Sequence, residues 1–449
     1  MVPRSRETRL LPSVRAQSTA TGPRAAPSPR ARRAIAAGAL ALGTLAAPSS
    51  AGASPQDVFG YGPRSTAMAG AGASIGWGFE TVRSNPALLT LSRERSLSVG
   101  WLGTFFDVSA NGNVPAEPMS GTLIGGTLPL PFEGFLKDRI ALGLGFFTPF
   151  DLVARARLLY PEKPKFPVTD RVHSVAVQMG LGVDLGHGVR IGGGFSALAG
   201  LTGSVVVATD ASGRVGTVVE DTLVAAYGPI IGASYERGPY RVGLTYRGEL
   251  SAPFDVVIDV RDLGSIVVPP LHISGLAQYD PHQLEAEVSR SLGPFRVALG
   301  ATYRHWSAYP GAVEATVRCP SQNPGEEEIS CEPLAPEAPE YSDTVTPRIA
   351  AEGSFPAARG VTLKGRVGYA FEPSPAPEQN RIGNDFDNHR SVIGLGYGLS
   401  LDRPLPRIDI DLFGQLQVLH DRSHEKPDGT VFQTRGTAVA LGATLGVNL

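Results

Sequence analysis

Along residues 95–449, polar and apolar side chains alternate with a period of two, not the 3.6 of a helix. The clearest run is Arg407-Ile408-Asp409-Ile410-Asp411-Leu412, and Gln415-Leu416-Gln417-Val418 carries it on. Arg241 to Arg247, Val297 to Tyr303, Val361 to Phe371 and Val439 to Leu449 repeat it. The pattern predicts fourteen strands, near 95–111, 118–130, 139–152, 170–185, 188–208, 214–236, 239–260, 281–293, 294–310, 344–355, 360–373, 388–402, 405–420 and 432–449. Tight turns follow most even-numbered strands, as at Gly186-His187-Gly188, Arg237-Gly238-Pro239 and Leu292-Gly293-Pro294. The connections after odd-numbered strands are mostly longer: 153–169, 261–280, 311–343, 374–387 and 421–431.

Alternation alone does not say which face is wet, because a soluble sandwich and a membrane barrel share it. Three features break the symmetry. The strands are long enough to cross a bilayer at a tilt. The face opposite the large apolar residues carries small residues with scattered Arg, Lys and Asp, as a lumen would. Short and long connections alternate, as periplasmic turns and external loops do. The predicted fold is all-β: a transmembrane antiparallel β-barrel of about fourteen strands. Closure leaves no open edge, and an even strand count places both termini in the periplasm. Ile191 to Thr209 is uncharged but holds five Gly, which makes it a poor helix.

The N-terminus changes the charge. Residues 1–33 hold eight Arg and one acid, Glu7, and 34–53 carry no charge and end Ala51-Gly52-Ala53. A basic region, an apolar region and a small-residue cleavage site predict a signal peptide over 1–53. The whole chain has 40 Lys+Arg against 42 Asp+Glu; without the leader the count is 32 against 41, about −9. An apolar fraction of 42% argues against disorder, and an acidic exported chain argues against nucleic-acid binding. Two Cys are too few for a disulfide-built scaffold or a Cys-rich zinc module.

Residues 54–94 break the strand pattern. They are rich in Gly and Ala, yet carry Met68, Ile75, Trp77, Phe79, Leu88 and Leu89, which a free tail would leave in water. A plug folded into the lumen fits better. The run Arg64-Ser65-Thr66-Ala67-Met68-Ala69-Gly70-Ala71-Gly72-Ala73, then Ser84-Asn85-Pro86-Ala87-Leu88-Leu89, resembles the start of the FadL/TodX family of outer-membrane transporters for long-chain fatty acids and aromatic hydrocarbons. Gly143 to Phe150, Tyr303-Arg304-His305-Trp306-Ser307, Asp387-Asn388-His389-Arg390 and Gly394-Leu395-Gly396-Tyr397 resemble further segments of that family, in order over 54–449. One departure is the end in Leu449, where such barrels commonly end in an aromatic residue.

The resemblance implies three regions: a leader at 1–53, an N-terminal hatch at 54–94 and a barrel at 95–449. It implies passive uptake of a hydrophobic small molecule, with Phe79, Asn85, Pro86 and Ala87 in the hatch and sideways release through the wall. Pro149 removes a ladder donor in the third strand and either opens the wall there or ends the strand. Arg241, Arg247, Arg304, Lys364 and Arg366 fall on the lumen parity, where they meet a carboxylate head or pair with lumen acids such as Asp409 and Asp411. The expected setting is the outer membrane of a Gram-negative cell. The expected partners are its lipid, its lipopolysaccharide and the barrel-assembly machinery, and the expected state is a monomer.

Other chemistry is weaker. Gly72-Ala73-Ser74-Ile75-Gly76 matches the nucleophile-elbow pattern but lacks the flanking strand and helix it needs. The eight His show no metal spacing, and neither a metal nor a cofactor is expected. Cys319 and Cys331 face an oxidising compartment, and a loop disulfide is expected. Seven acids between Glu326 and Asp343 read as a solvated outer loop or as a cation bridge to lipopolysaccharide. The rival readings are a general porin for small polar solutes and a structural or adhesion barrel.

Overall fold

The computed structural model describes residues 55–150, 164–170, 175–209, 215–261, 271–311, 313–319, 329–330, 339–381, 383–402 and 406–449. The expected leader, Cys331 and most of the acidic stretch lie outside them; Cys319 is placed as backbone only. The expected disulfide and cation bridge therefore lie outside the described residues.

Fourteen strands make one closed antiparallel barrel. They are β1 (Ser96–Ala110), β2 (Met119–Pro129), β3 (Ile140–Pro149), β4 (Ala176–Gly186), β5 (Val189–Thr209), β6 (Val215–Arg237), β7 (Tyr240–Arg247 and Leu250–Arg261), β8 (Leu271–Asp280 and Gln283–Leu292), β9 (Phe295–Arg304 and Val313–Cys319), β10 (Thr344–Ala358), β11 (Val361–Glu372), β12 (Arg390–Leu401), β13 (Arg407–Glu425) and β14 (Val431–Asn448). The ring closes where β1 meets β14, from Ser96↔Asn448 to Ala110↔Thr434. The β6–β7 and β8–β9 turns are two residues each, and Gly238 and Gly293 supply the positive φ (59° and 61°) that such turns need.

The expected strand positions hold, with two differences: the ninth strand resumes over Val313–Cys319, inside the connection expected at 311–343, and the eighth begins early. The eighth strand starts at Leu271 and not near 281, and it is broken at Pro281 and His282. Proline cannot donate to the ladder, so it interrupts the strand. β7 breaks at Gly248 and Glu249, and β9 breaks at a short 3-10 turn, Trp306–Ala308. Up to these breaks the neighbours run β5–β6–β7–β8. Beyond them, Phe254–Arg261 of β7 pairs in parallel with Leu201–Ala208 of β5, while β5 keeps β6 on its other edge. The β5–β6 hairpin therefore exchanges its order in the wall as it leaves the short-turn half of the barrel.

Side-chain direction follows the predicted parity. Leu97, Val99, Trp101 and Phe105 on β1 and Leu441 and Leu445 on β14 are exposed on the outer face, while Leu102, Thr104, Ala438 and Ala440 are buried inside. The same outward apolar row recurs at Val242, Leu244, Leu299, Ile349, Leu395 and Leu412. An apolar outer band around a polar interior is the arrangement a bilayer requires of a barrel. No helix among the described residues is long and apolar enough to cross a membrane.

Residues 55–92 fold into short helices, α1 (Pro55–Phe59), α2 (Pro63–Ala67) and α3 (Thr81–Ser84), with 3-10 turns at Gly78–Glu80 and Pro86–Leu91. Met68, Ile75, Phe79, Leu88 and Leu89 are buried there. The strands give this segment room through inward glycines. A Cβ on Gly243 would strike the Ala73 carbonyl, one on Gly368 the Met68 backbone, and one on Gly192 the Pro86–Ala87 peptide. The small residues along the inner face are thus the imprint of the segment lying against it.

Candidate functional site

The contacts between residues 55–92 and the inner wall form a dense polar assembly. Asn85 sits at its centre and is fully buried. Its φ of −169° is extended, and Pro86 opens the following turn at the position where a missing N–H costs nothing. The Asn85 Oδ1 accepts from the Ala87 N–H (3.1 Å), capping that turn. Its Nδ2 donates to the Ala73 carbonyl (2.7 Å) and to the Ala233 carbonyl of β6 (3.0 Å). One amide therefore caps a turn, closes the segment on itself and ties it to the barrel. This is a physical reason for an Asn-Pro-Ala sequence at 85–87. Phe79 is buried edge-on to Tyr61, ring centres 5.7 Å apart, and fills the space over Gly125 of β2.

Two carboxylates hold backbone. Glu287 of β8 accepts from the N–H groups of Gly72 (3.0 Å), Ser74 (2.7 Å) and Ile75 (2.9 Å), and from the Ser74 hydroxyl (2.8 Å). The run that matched a nucleophile elbow is thus a loop wrapped around a wall carboxylate, with its serine donating to an acid. Glu80, within the segment, accepts from the N–H groups of Arg64 (3.1 and 3.0 Å to its two oxygens) and Ser65 (2.8 Å). Burial pushes the Glu80 carboxyl up to about 7, against the lowering effect of those two N–H bonds.

The predicted basic residues separate into two clusters. Toward the long connections, Arg247 donates to Glu285 (2.7 Å) and Gln283 (3.0 Å), and Arg348 reaches the other Glu285 oxygen (2.8 Å). Arg304 and Arg390 share Glu372, both at 3.0 Å. Asp57 of the segment accepts from Gln283 (2.7 Å) and Arg83 (3.2 Å). Asp57, Arg83, Arg247, Arg304, Arg348 and Glu372 line a cavity of about 50 Å³, room for little more than water. Toward the short turns, Arg366 binds Glu352 (2.7 Å) and Asp411 (2.5 Å), and Lys364 lies 3.4 Å from Asp409. Arg241, nearer Glu236 (3.1 Å), also donates to the Ser74 carbonyl (3.2 Å). All four predicted binding residues, Arg247, Arg304, Lys364 and Arg366, therefore meet carboxylates of the same chain. Arg247 and Arg304 lie in one cluster, Lys364 and Arg366 in the other.

Pro149 is the last residue of β3 and pairs with Gly121 of β2. On its other side, the β3–β4 ladder stops at Phe147↔Ala176, so Thr148 and Pro149 have no β4 partner among the described residues. Sequence reasoning singled out neither Glu287, Glu285 nor Asp57. For Glu285 and Glu287, alternation on a lumen parity was the available signal; Asp57, in α1, offered none, and the partners of all three are far away in the chain. Among the described residues, no group of three or more His, Cys, Asp and Glu is arranged to hold a metal.

One side of the interior is apolar. Phe166 and Phe386, in the β3–β4 and β11–β12 connections, lie 6.1 Å apart. They belong to one buried cluster with Leu102, Met119, Leu123, Phe147, Phe413 and Leu419 of the wall and Phe59 and Phe79 of the segment.

No family model matches the chain. No curated protein matches it. Solved structures do, in fold. A FadL homologue of Pseudomonas aeruginosa covers 86% of this chain and 97% of its own at 13% identity, TM-score 0.54. The toluene transporter TodX of P. putida covers 88% and 99% at 14% identity, TM-score 0.54. The toluene transporter TbuX of Ralstonia pickettii covers 88% and 99% at 15% identity, TM-score 0.50. The fold expected from the resemblance is the fold found.

Proposed function

We propose that this chain is an outer-membrane transporter that takes up hydrophobic molecules passively through a barrel gated by residues 54–94. The reading rests on one observation above the rest: the buried apolar seam from Phe166 and Phe386, among the long connections, down to Phe59 and Phe79. A pore for polar solutes gains nothing from such a lining, whereas an apolar solute is favoured by every contact along it. Structures of the same fold are toluene transporters and a channel for monoaromatic hydrocarbons, which is the same class of cargo.

In this reading the substrate enters among the long connections on the cell surface and follows the seam to the hatch. It leaves sideways into the membrane beside Pro149, where β3 has no β4 partner among the described residues. The hatch is held by Asn85 and Glu287, and Phe79, Pro86 and Ala87 pack it against β2, β5 and β6. The Arg247 and Arg304 cluster meets a carboxylate head only by exchange with Glu285 or Glu372. Residues 1–53 act as the export leader, both termini lie in the periplasm, the barrel acts as a monomer, and assembly depends on the barrel-assembly machinery and on outer-membrane lipid and lipopolysaccharide.

The test is flux through the purified barrel in liposomes, with a labelled long-chain fatty acid, labelled toluene and a labelled small sugar side by side. Passage of either apolar probe with retention of the sugar supports the reading. Passage of the sugar makes the barrel an open porin and removes the hatch from the account. If nothing passes, a structural or adhesion role replaces transport.

A further inference from the structure

Two connections that are far apart in the chain meet at the long-connection end of the barrel. The Lys165 N–H donates to the Asn384 carbonyl (3.0 Å), and the Lys165 carbonyl accepts from the Phe386 N–H (2.9 Å). These bonds form a single parallel bridge between Lys165 and Asp385, and the side chains of the same two residues form an ion pair (2.9 Å). The next residue on each side is Phe166 or Phe386. Both rings are fully buried, and both belong to the apolar seam. The seam therefore offers neither ring to a solute arriving at this end while the bridge is made.

The 374–387 arm is held firmly. Arg422 of β13 donates to the carbonyls of Ala376 (2.9 Å) and Asp387 (3.0 Å), and Lys426 donates to those of Arg381 (2.8 Å) and Gly383 (2.8 Å). Phe386 also packs on the rings of His424 (4.7 Å) and Phe432 (5.4 Å). The clasp across to the other arm is slighter. It has two backbone bonds, a ring contact at 6.1 Å and an ion pair whose members are both partly exposed. Such pairs contribute little to stability, so the clasp is the weak point of the closure.

We propose that this clasp is an entry gate: Lys165 and Phe166 part from Asp385 and Phe386, while the 374–387 arm stays fixed on β13. An apolar solute replaces the lost ring contact with its own and so favours the open state. A polar solute gains nothing there and leaves the clasp shut. Selection for apolar cargo thus begins at the mouth, before the hatch. Calling the clasp an entry rests on the transport reading; the closure itself does not.

The test uses the full-length barrel with Cys319→Ser and Cys331→Ser, in liposomes. In that background Lys165→Cys with Asp385→Cys sets two thiols on bridge partners. Oxidation should close them, read as loss of free thiol, and lower the flux of labelled toluene and labelled long-chain fatty acid at least tenfold. Reduction should restore it. Asp385→Lys, which sets two like charges on the bridge, should raise the same flux threefold or more. A second readout needs no transport. Met119→Cys, at a seam position that is 1% exposed, should react with a water-soluble maleimide at least tenfold faster when Asp385→Lys is added. Thiols that do not close, or Met119→Cys labelling unmoved by Asp385→Lys, overturn the proposal. Equal flux in the oxidised and reduced barrels removes the gate and leaves the transport reading intact. Labelling that responds in a barrel whose reduced form passes neither apolar probe defeats the transport reading and leaves the closure standing.

Discussion

The two sides of the barrel interior differ sharply. Around β1–β3 and the β13–β14 pair the inner wall presents Leu102, Met119, Leu123, Phe147, Phe413 and Leu419, packed in one apolar cluster with Tyr61, and His424 lies at its border, 4.7 Å from the Phe386 ring. Around β7–β12 it presents Arg247, Glu285, Glu287, Arg304, Arg348, Arg366 and Arg390, nearly all buried. Buried charges contribute little net stability when paired and cost much when a partner is lost. They are therefore suited to fixing one geometry. An apolar wall has no such directionality and accepts any apolar occupant. The charged side holds residues 55–92 in register; the apolar side packs against them without directional bonds, and in the proposed function it is the path of a hydrophobic molecule.

The comparison breaks most visibly at Glu285, which serves both Arg247 and Arg348. Glu285→Ala leaves two buried guanidinium groups without their carboxylate and should cost about 3–5 kcal/mol, read as a lower denaturation midpoint of the refolded barrel in detergent. Glu287→Gln comes next. It weakens four bonds to the Gly72–Ile75 loop, by about 2–3 kcal/mol in total. Hydrogen exchange of those amides should rise on the order of a hundredfold while strand amides stay unchanged. On the apolar side, Leu123→Gln buries an amide with no partner and should cost about 1–3 kcal/mol. It should also slow apolar flux without loosening the 72–75 amides, which separates the two sides directly.

A fourth test is a pH dependence. Glu80 has a folded pKa of about 7, above the ordinary 4.5 of a glutamate, so the folded state retains a proton that the unfolded state releases. Stability therefore rises as pH falls from about 7 toward 4.5 and gains nothing further below that. Glu80→Gln should flatten this slope in thermal melts taken across the same window.

Much of the barrel was legible in the sequence because a period of two needs no partner to be read. The outward row of Leu441 and Leu445, the turns at Gly238 and Gly293 and the closing strands near 95 and 449 all follow from local pattern. The breaks at Gly248 and Pro281 were legible in residue type but not in consequence, since the exchange of β5 and β7 neighbours is a long-range pairing. The site was readable in part. Parity placed Arg366 and Lys364 near Asp411 and Asp409, and the geometry found the same pairs. The roles of Glu287 and Asp57 were hidden, because the first takes its meaning from amides 212 to 215 residues away and the second from Gln283, 226 residues away. The inward glycines carried a signal that alternation alone undervalues: a strand position that stays small on the wet face marks another backbone lying against it.

The most direct test of the division between the two sides is photolabelling in liposomes with an aliphatic diazirine hydrocarbon, mapped by mass spectrometry. Labels on inward residues of β1–β3 and β13, such as Phe106, Met119, Leu123 and Phe413, are the predicted result, alongside the lipid-facing labels any membrane barrel acquires. Labels concentrated on inward residues of β7–β12, or none on either inner face, would contradict it.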